Sequence, residues 1–351
     1  PSLVGSEMCI RDRENPVPNW PFICYNIERQ GCQVSWESDT YFVIMRKEEG
    51  LLMQSNIIVT SVVVVYLLVM LLIGYLSSKK IESNTDFVVA GRRLGPFLMA
   101  GTLAATEIGG GSSLGVVQQG MESHGLSAAW YIITMGFAFV ILTFLAPKFR
   151  AAMVKTVPEY FRRRYGKPSG IITSLIMFVP LIGLTAGQFI ASSVILSTML
   201  NMNYKTAVLI VGIVVTIYAI MGGLWSVTLT DFVQVFLIVV GMIIALPFGM
   251  NLAGGWNNVV SNVPAETFDI FKGYNVMDVI SLTIMYVATF TVGQEAVSRY
   301  YAARDGKAAR QGSILAAIVN FIYAFVPTLM GIIVLALINI CLLYTSPSPR
   351  D

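Results

Sequence analysis

The residues best suited to chemistry in this chain lie between Gly101 and Gly115, in the run GTLAATEIGGGSSLG. An acid, Glu107, and three consecutive glycines, Gly109 to Gly111, interrupt an otherwise apolar segment. Each glycine costs a helix about 1 kcal/mol against alanine, so the three together are expected to unwind it. Unwound backbone at membrane depth persists only where it lines a cavity or is buried in protein. An acidic side chain at the centre of a membrane helix costs about 2.5–3.5 kcal/mol on insertion scales. Hard cations take oxygen ligands. Freed carbonyls beside a carboxyl therefore suit an ion, and broken helices of this kind hold ions and solutes in secondary transporters.

Other chemistry is scarce. His124 is the one histidine, and it falls between apolar stretches. The four cysteines are not clustered with it, so neither a zinc site nor a disulfide framework is expected. No nucleophile–base pair is visible, and an enzyme is not expected. The net charge of +3 is too small to point to nucleic acid. Of 351 residues 55% are hydrophobic and 12% charged, against about 25% charged in a soluble domain. The mean hydropathy is +0.70. The composition is that of an all-α polytopic membrane protein, with the lipid bilayer as its surroundings.

A span needs about 20 apolar residues. Eight stretches qualify: 57–76, 97–120, 126–146, 171–200, 206–224, 232–252, 276–296 and 313–340. The fourth and eighth are overlong, so each is expected to tilt, to extend past the bilayer, or to kink at Pro180 or Pro327. Basic residues alternate between the connecting loops. Four (Lys79, Lys80, Arg92, Arg93) follow the first span and seven (Lys148, Arg150, Lys155, Arg162, Arg163, Arg164, Lys167) follow the third. Four more (Arg299, Arg304, Lys307, Arg310) follow the seventh, whereas the opposite loops carry only Lys205 and Lys272. The positive-inside rule puts the N-terminus outside and the basic loops in the cytoplasm. Residues 225–231, without a basic residue, are expected to form a cytoplasmic turn by parity.

The ends read as foreign. Residues 341–351, CLLYTSPSPRD, resemble the translation of a sequencing-library adapter, and LVGSEMCIRD at 3–12 resembles the opposite strand of the same DNA. Residues 1–13 and 341–351 are therefore expected to be adapter-derived and are set aside from fold reasoning. Residues 14–52 are polar and aperiodic. They are expected to be a disordered extension or translated upstream sequence, because Lys47-Glu-Glu-Gly50 can be encoded by a ribosome-binding-site-like purine run just before Met53. The membrane domain is then 53–340.

Five motifs in order resemble the sodium:solute symporter family, which includes proline, pantothenate, galactose and sialic acid symporters. FVVAGRRLG at 87–95 resembles its "FxxAGRxLG" entry, and VPEYF at 157–161 with RYG at 164–166 its "PEY…RYG" loop. YAIMGGLWS at 218–226 is similar to the glycine pair of its signature, although Asn201 stands where the signature's first position has Gly or Ser. TDFVQ at 230–234 and Gly293-Gln294 with Arg299, Ala302 and Ala303 complete the set. The likeness implies a partial inverted-repeat, amino-acid-transporter-like fold: a leading helix, a complete first five-helix repeat, and the start of a second. It implies a sodium-coupled symporter at the plasma (bacterial inner) membrane, taking up a small organic solute by alternating access. It also implies that the helix closing the sodium site lies beyond residue 340, so that this chain alone is inactive. No obligate protein partner is evident. A symporter-like membrane sensor, such as the input region of a histidine kinase, is the alternative.

The same likeness places residues. Ala105 and Ile108 match positions whose carbonyls hold Na+. Glu107 matches an aspartate that affects sodium and solute binding in proline symporters, or else it is a protonated or hydrogen-bonded scaffold group. Asp231 matches a second sodium site in some relatives, or is a solvated acid at a span edge. Gly110, Gln188, Tyr286, Thr289, Phe290 and Gln294, with Glu107, are the solute-facing candidates. For Gln188, Tyr286, Thr289, Phe290 and Gln294, packing or an interhelical hydrogen bond is an equal reading.

Overall fold

The computed structural model describes residues 32–37, 40–45, 49–79, 81–200 and 202–345. The expected adapter segment 1–13 lies outside these residues, as do 14–31 and 346–351. One part of the expected extension is ordered in pairs. Strands β1 (Cys32–Glu37) and β2 (Thr40–Met45) form an antiparallel hairpin, Cys32 opposite Met45 and Glu37 opposite Thr40. The β-branched and aromatic residues of TYFVIM favour a strand, so residues 14–52 are not wholly irregular. From residue 49 onward the described elements are helical.

Helix α1 (Glu49–Ser78) leads. The short α2 (Asn84–Val89) starts on a reciprocal cap: Asp86 N–H donates to Ser83 Oγ at 3.1 Å and Ser83 N–H to the Asp86 carboxylate at 3.0 Å. After a left-handed turn at Ala90–Arg92 come α3 (Pro96–Glu107) and α4 (Gly110–Glu122). Helix α5 (Ala129–Ala151) and the short amphipathic α6 (Val157–Tyr165) follow. Helix α7 (Lys167–Leu200) runs through Pro180. Helix α8 (Tyr204–Leu252) has a non-helical residue, Gly223, at φ 50° and ψ −148°. Then come α9 (Trp256–Ser261), α10 (Val276–Val292) and α11 (Gln294–Ala302), the last two bent by 55° about Gly293. Helices α12 (Gly306–Tyr323) and α13 (Phe325–Thr345) close the chain.

Among the described residues five helical segments are long and apolar enough to cross a membrane: Ile57–Ser78, Gly125–Ala151, Lys167–Leu200, Ala219–Leu252 and Gly306–Ile340. The bent α10–α11 pair makes a sixth. The two remaining expected spans are the broken α3–α4 and the shorter apolar leg Tyr204–Ile217. This is a multi-pass helical membrane protein.

One expected turn needs correction. The turn expected at 225–231 is helical, and the chain turns at Gly223 instead. A Cβ there would lie 2.5 Å from the Phe87 carbonyl oxygen, and φ is positive, so glycine is required on both counts. The polar residues that suggested a loop serve their own helix: Thr228 and Thr230 hydroxyls donate to Leu224 O and Ser226 O at 2.8 and 3.1 Å. The eighth span, by contrast, kinks as expected in the turn before Pro327, at Ala324, because that proline has no N–H to give the preceding turn.

The core is a bundle of α3–α4, α5, α10–α11 and α12–α13, to which α1 and α8 are added on one side. Small residues set its crossings. Gly312 meets Met99 and Gly331 meets Val117 O, while a Cβ at Gly120 would lie 3.0 Å from Thr328 O. Such contacts let membrane helices approach closely. Phe139 of α5 stacks on Phe290 of α10, ring centroids 5.1 Å apart. The outward faces of α1, α7 and α8 are largely exposed apolar side chains, as a lipid-facing surface requires. The bundle opens each of its two halves with a broken helix, α3–α4 and α10–α11.

Candidate functional site

The first break is narrower than three glycines suggest. Only Ile108 (φ −81°, ψ 85°) and Gly109 (extended) leave the helix, while Gly110 and Gly111 already belong to α4. A Cβ built on either glycine would lie in ordinary contact with α7, at Ala191 and Ile195 for Gly110 and at Gln188 for Gly111. Gly109 N–H turns back to Glu107 O at 3.0 Å and Ser112 Oγ at 3.1 Å. Ser112 Oγ in turn donates to Glu107 O. Because Gly109 N–H is diverted, Ala105 O loses its helical donor, and Ile108 O receives no backbone N–H among the described residues. Thr106 O likewise has no backbone donor among the described residues, so three carbonyl oxygens, of Ala105, Thr106 and Ile108, are released at the break.

Glu107, the last residue of α3, is partly buried, and its carboxylate makes no hydrogen bond among the described residues. Glu295 and Arg299 of α11 are the charges that act on it, and it lies within electrostatic reach of the Tyr286 hydroxyl. Tyr286 is itself edge-on to Tyr131, centroids 5.9 Å apart. Gln188 stands across the break on α7: its Oε1 is 3.2 Å from where a Gly109 Cβ would be. The fold therefore brings Ala105, Glu107, Ile108, Gly110 and Gln188 to one place, with Tyr286 beside it.

Three expected residues are placed otherwise. Asp231 is not at a span edge but inside α8, accepting from Thr102 Oγ1 at 2.6 Å and pairing with Arg299 at 3.5 Å. Phe290 is 2% exposed in the core under Phe139. Gln294 has its side-chain carbonyl on Val157 N–H at 2.9 Å. Thr289 is exposed, and its backbone carbonyl accepts from Gly293 N–H at 2.6 Å.

Sequence reasoning missed Thr102 and Arg299 as partners of Asp231, and it missed Asn320. Asn320 is fully buried in α12. Its Nδ2 donates to Ala316 O at 2.9 Å and its Oδ1 has no partner among the described residues. A lone amide in the apolar run 316–323 was the available signal. The break at Gly293 was also missed, since one glycine in an apolar helix is ambiguous. No group of three or more His, Cys, Asp or Glu side chains placed to hold a metal ion occurs among the described residues.

A sequence profile described as the sodium:solute symporter family matches residues 87–348. The chain belongs to that family. The high-affinity proline transporter PutP of Bacillus subtilis (strain 168) is 31% identical over 223 residues, 60% of this chain and 47% of that protein. The sodium/proline symporter of Staphylococcus aureus (strain JH9) is 26% identical over 224 residues, 60% of this chain and 43% of that one. This chain thus spans about half the length of the curated relatives it matches. The solved structure of a Na+-coupled sialic acid symporter in a substrate-bound outward-open state superposes with a TM-score of 0.73 at 20% identity, covering 84% of this chain and 64% of the other. That likeness establishes the shared fold. The family and these relatives are transporters, not enzymes.

Proposed function

We propose that this chain forms part of a sodium-coupled symporter that takes up a small organic solute across the plasma membrane, with its N-terminus outside and its basic loops in the cytoplasm. The observation that carries the reading is the break at Ile108–Gly109, which frees backbone carbonyls, those of Ala105 and Ile108 among them, beside a carboxyl with no hydrogen bond among the described residues. Sodium is held by Ala105 O and Ile108 O and favoured by the Glu107 charge. Gly110, Gln188, Tyr286 and Thr289, with Glu107, face the solute; Gly110 lets it approach the backbone. Asp231 serves a second ion only when Arg299 gives way. The proline and sialic acid relatives support the sodium coupling, while the solute itself is a matter for screening. Sodium and solute must each raise the other's affinity by the same factor, and alternating access follows from rocking about the broken helices.

The test is Glu107→Gln in transport-competent protein reconstituted in vesicles. We expect the sodium concentration for half-maximal uptake to rise about tenfold or more, which corresponds to about 1.4 kcal/mol. Glu107→Asp, which keeps the charge, should be milder. Unchanged sodium dependence in Glu107→Gln at normal expression would remove Glu107 from the site and leave the ion to the two carbonyls.

A further inference from the structure

Val157 is the first residue of α6, and its N–H is one of the four that a helix leaves without an intrahelical partner. The residue is 4% exposed and shares a core cluster with Ala296, Val297 and Tyr300 of α11. A buried N–H needs a partner. It finds one 137 positions along the chain, in Gln294 Oε1 at 2.9 Å. Neighbouring groups have their own acceptors: Glu159 N–H donates to Thr156 Oγ1 at 3.2 Å and Lys155 N–H to Glu159 Oε2 at 2.7 Å. Among the described residues the Val157 N–H has no other acceptor.

Gln294 is also the first residue of α11, directly after Gly293, where the second broken helix turns by 55°. One amide side chain therefore joins the start of a surface helix to the bend of a membrane helix. Further bonds at the same end keep the surrounding linkers in register. Leu94 forms a parallel bridge with Ala303, Arg92 donates to Met153 O at 2.9 Å, and Arg150 Nε donates to Ala303 O at 2.5 Å. These bonds reach the linkers on either side of α6 and α11, whereas Gln294 joins α6 to the bend itself.

We propose that Gln294 is a positioning residue: its side-chain carbonyl tethers the N-terminus of α6 to the α10–α11 bend, so that the two move as one unit. The tether does not depend on what the protein carries. Its use in transport rests on the symport reading above, since movement of the bend on ion binding would then be passed to α6.

Hydrogen exchange measured on the whole chain in lipid nanodiscs tests this. Two regions are followed, residues 155–165 and residues 289–297. Gln294→Leu keeps the bulk and removes the acceptor. It should raise exchange about tenfold or more in both regions, as loss of one buried hydrogen bond implies. Gln294→Glu keeps an acceptor oxygen and should restore protection in both. Val157→Pro deletes the donor instead, at a first-turn position where proline is tolerated. It should loosen 289–297 as Gln294→Leu does, which guards against a folding defect peculiar to one variant. Unchanged exchange in 155–165 for Gln294→Leu would overturn the tether. A rise confined to 155–165 would overturn the coupling and leave Gln294 a simple cap. In transport-competent protein, sodium chloride is then compared with choline chloride at equal ionic strength. A sodium-dependent change in 155–165 of the wild type, absent in Gln294→Leu, is expected. A wild type insensitive to sodium, with the variant effects intact, counts against the symport reading and leaves the tether standing.

Discussion

The two broken helices solve the same problem in different ways. At the first break the chain repairs itself locally: Ser112, three residues on, accepts from the Gly109 N–H and donates its own hydroxyl to Glu107 O. Nothing distant claims the Ile108 carbonyl or the Glu107 carboxylate among the described residues. At the second break Phe290 O, Thr291 O and Val292 O likewise receive no backbone N–H among the described residues, but several neighbouring groups are tied elsewhere. Gly293 N–H is on Thr289 O, Gln294 is on α6, Phe290 is stacked on Phe139, and Arg299 is on Asp231. Below it, Tyr300 and Ser313 hydroxyls lie 2.9 Å apart and Ser313 donates to Phe139 O at 2.7 Å. A break that holds a ligand must leave oxygens unclaimed, and a break that transmits movement must be attached to what it moves. Both breaks leave backbone oxygens unclaimed, and the second is in addition attached to distant elements through Gln294 and Arg299.

The sharpest way to break this comparison is to put a methyl group at each site. At Gly293 a Cβ would meet the Glu295 carboxylate and lie 2.7 Å from Thr289 O. Gly293→Ala should therefore cost about 1–3 kcal/mol, as overpacking does, read as a lowered thermal unfolding midpoint in detergent. At Gly110 the nearest atoms are Ile195 Cδ1 at 3.6 Å and Ala191 Cβ at 3.7 Å, an ordinary contact. Gly110→Ala should be neutral or stabilising by up to about 1 kcal/mol through helix propensity, yet should weaken solute binding if Gly110 faces the solute. Equal losses at both positions would erase the distinction between a self-contained and an attached break.

A smaller effect is expected from removing the local repair. Ser112→Ala takes one partner from Gly109 N–H and leaves the weaker turn to Glu107 O. The loss should be about 1 kcal/mol, the ordinary net worth of one hydrogen bond. It should appear as faster exchange in 105–113 with 289–297 unchanged. A matching rise in 289–297 would mean that the breaks are coupled and that the comparison is drawn too cleanly.

Much of this was legible in the sequence, and the reasons for the exceptions are specific. Glu107 and Gly109–Gly111 announced a break, because an acid and poor helix formers are both costly inside an unbroken apolar helix. Its exact position was not legible, since glycine permits unwinding without requiring it, and the helix resumes at Gly110, where Ser112 caps the Gly109 N–H. The turn at Gly223 was misplaced to 225–231 because Ser226, Thr228, Thr230 and Asp231 look like a loop when their partners are unseen. In the fold Thr228 and Thr230 bond to the preceding turn and Asp231 bonds across to Thr102 and Arg299. Gln294 was read as facing a solute because its type and its span fit that role. Its bond to Val157 joins segments 137 residues apart, and no local pattern encodes such a pairing.

The smallest expected effect concerns pH, and it bears on the second break alone. Glu159 lies in the first turn of α6. Partial burial pushes its carboxyl upward, but the Lys155 N–H, the Arg163 side chain and the charges of Arg163 and Arg162 outweigh this and hold it below its ordinary value of 4.5. A carboxyl depressed in the folded state lends stability that is fully present above its unfolded value and lost as pH falls through the folded one. The docking of α6 should therefore be constant from neutral pH down to 4.5 and weaken only below it. Protection factors, which divide out the intrinsic pH dependence of exchange, should fall a few-fold in 155–165 across that acid range. Because Gln294 joins α6 to the bend, 289–297 should lose protection over the same range. Glu159→Gln should abolish the acid step in both regions while leaving the Gln294 bond in place. If the step at 155–165 survives in Glu159→Gln, another group controls the docking of α6. If 155–165 loosens in acid while 289–297 does not, the second break is as self-contained as the first.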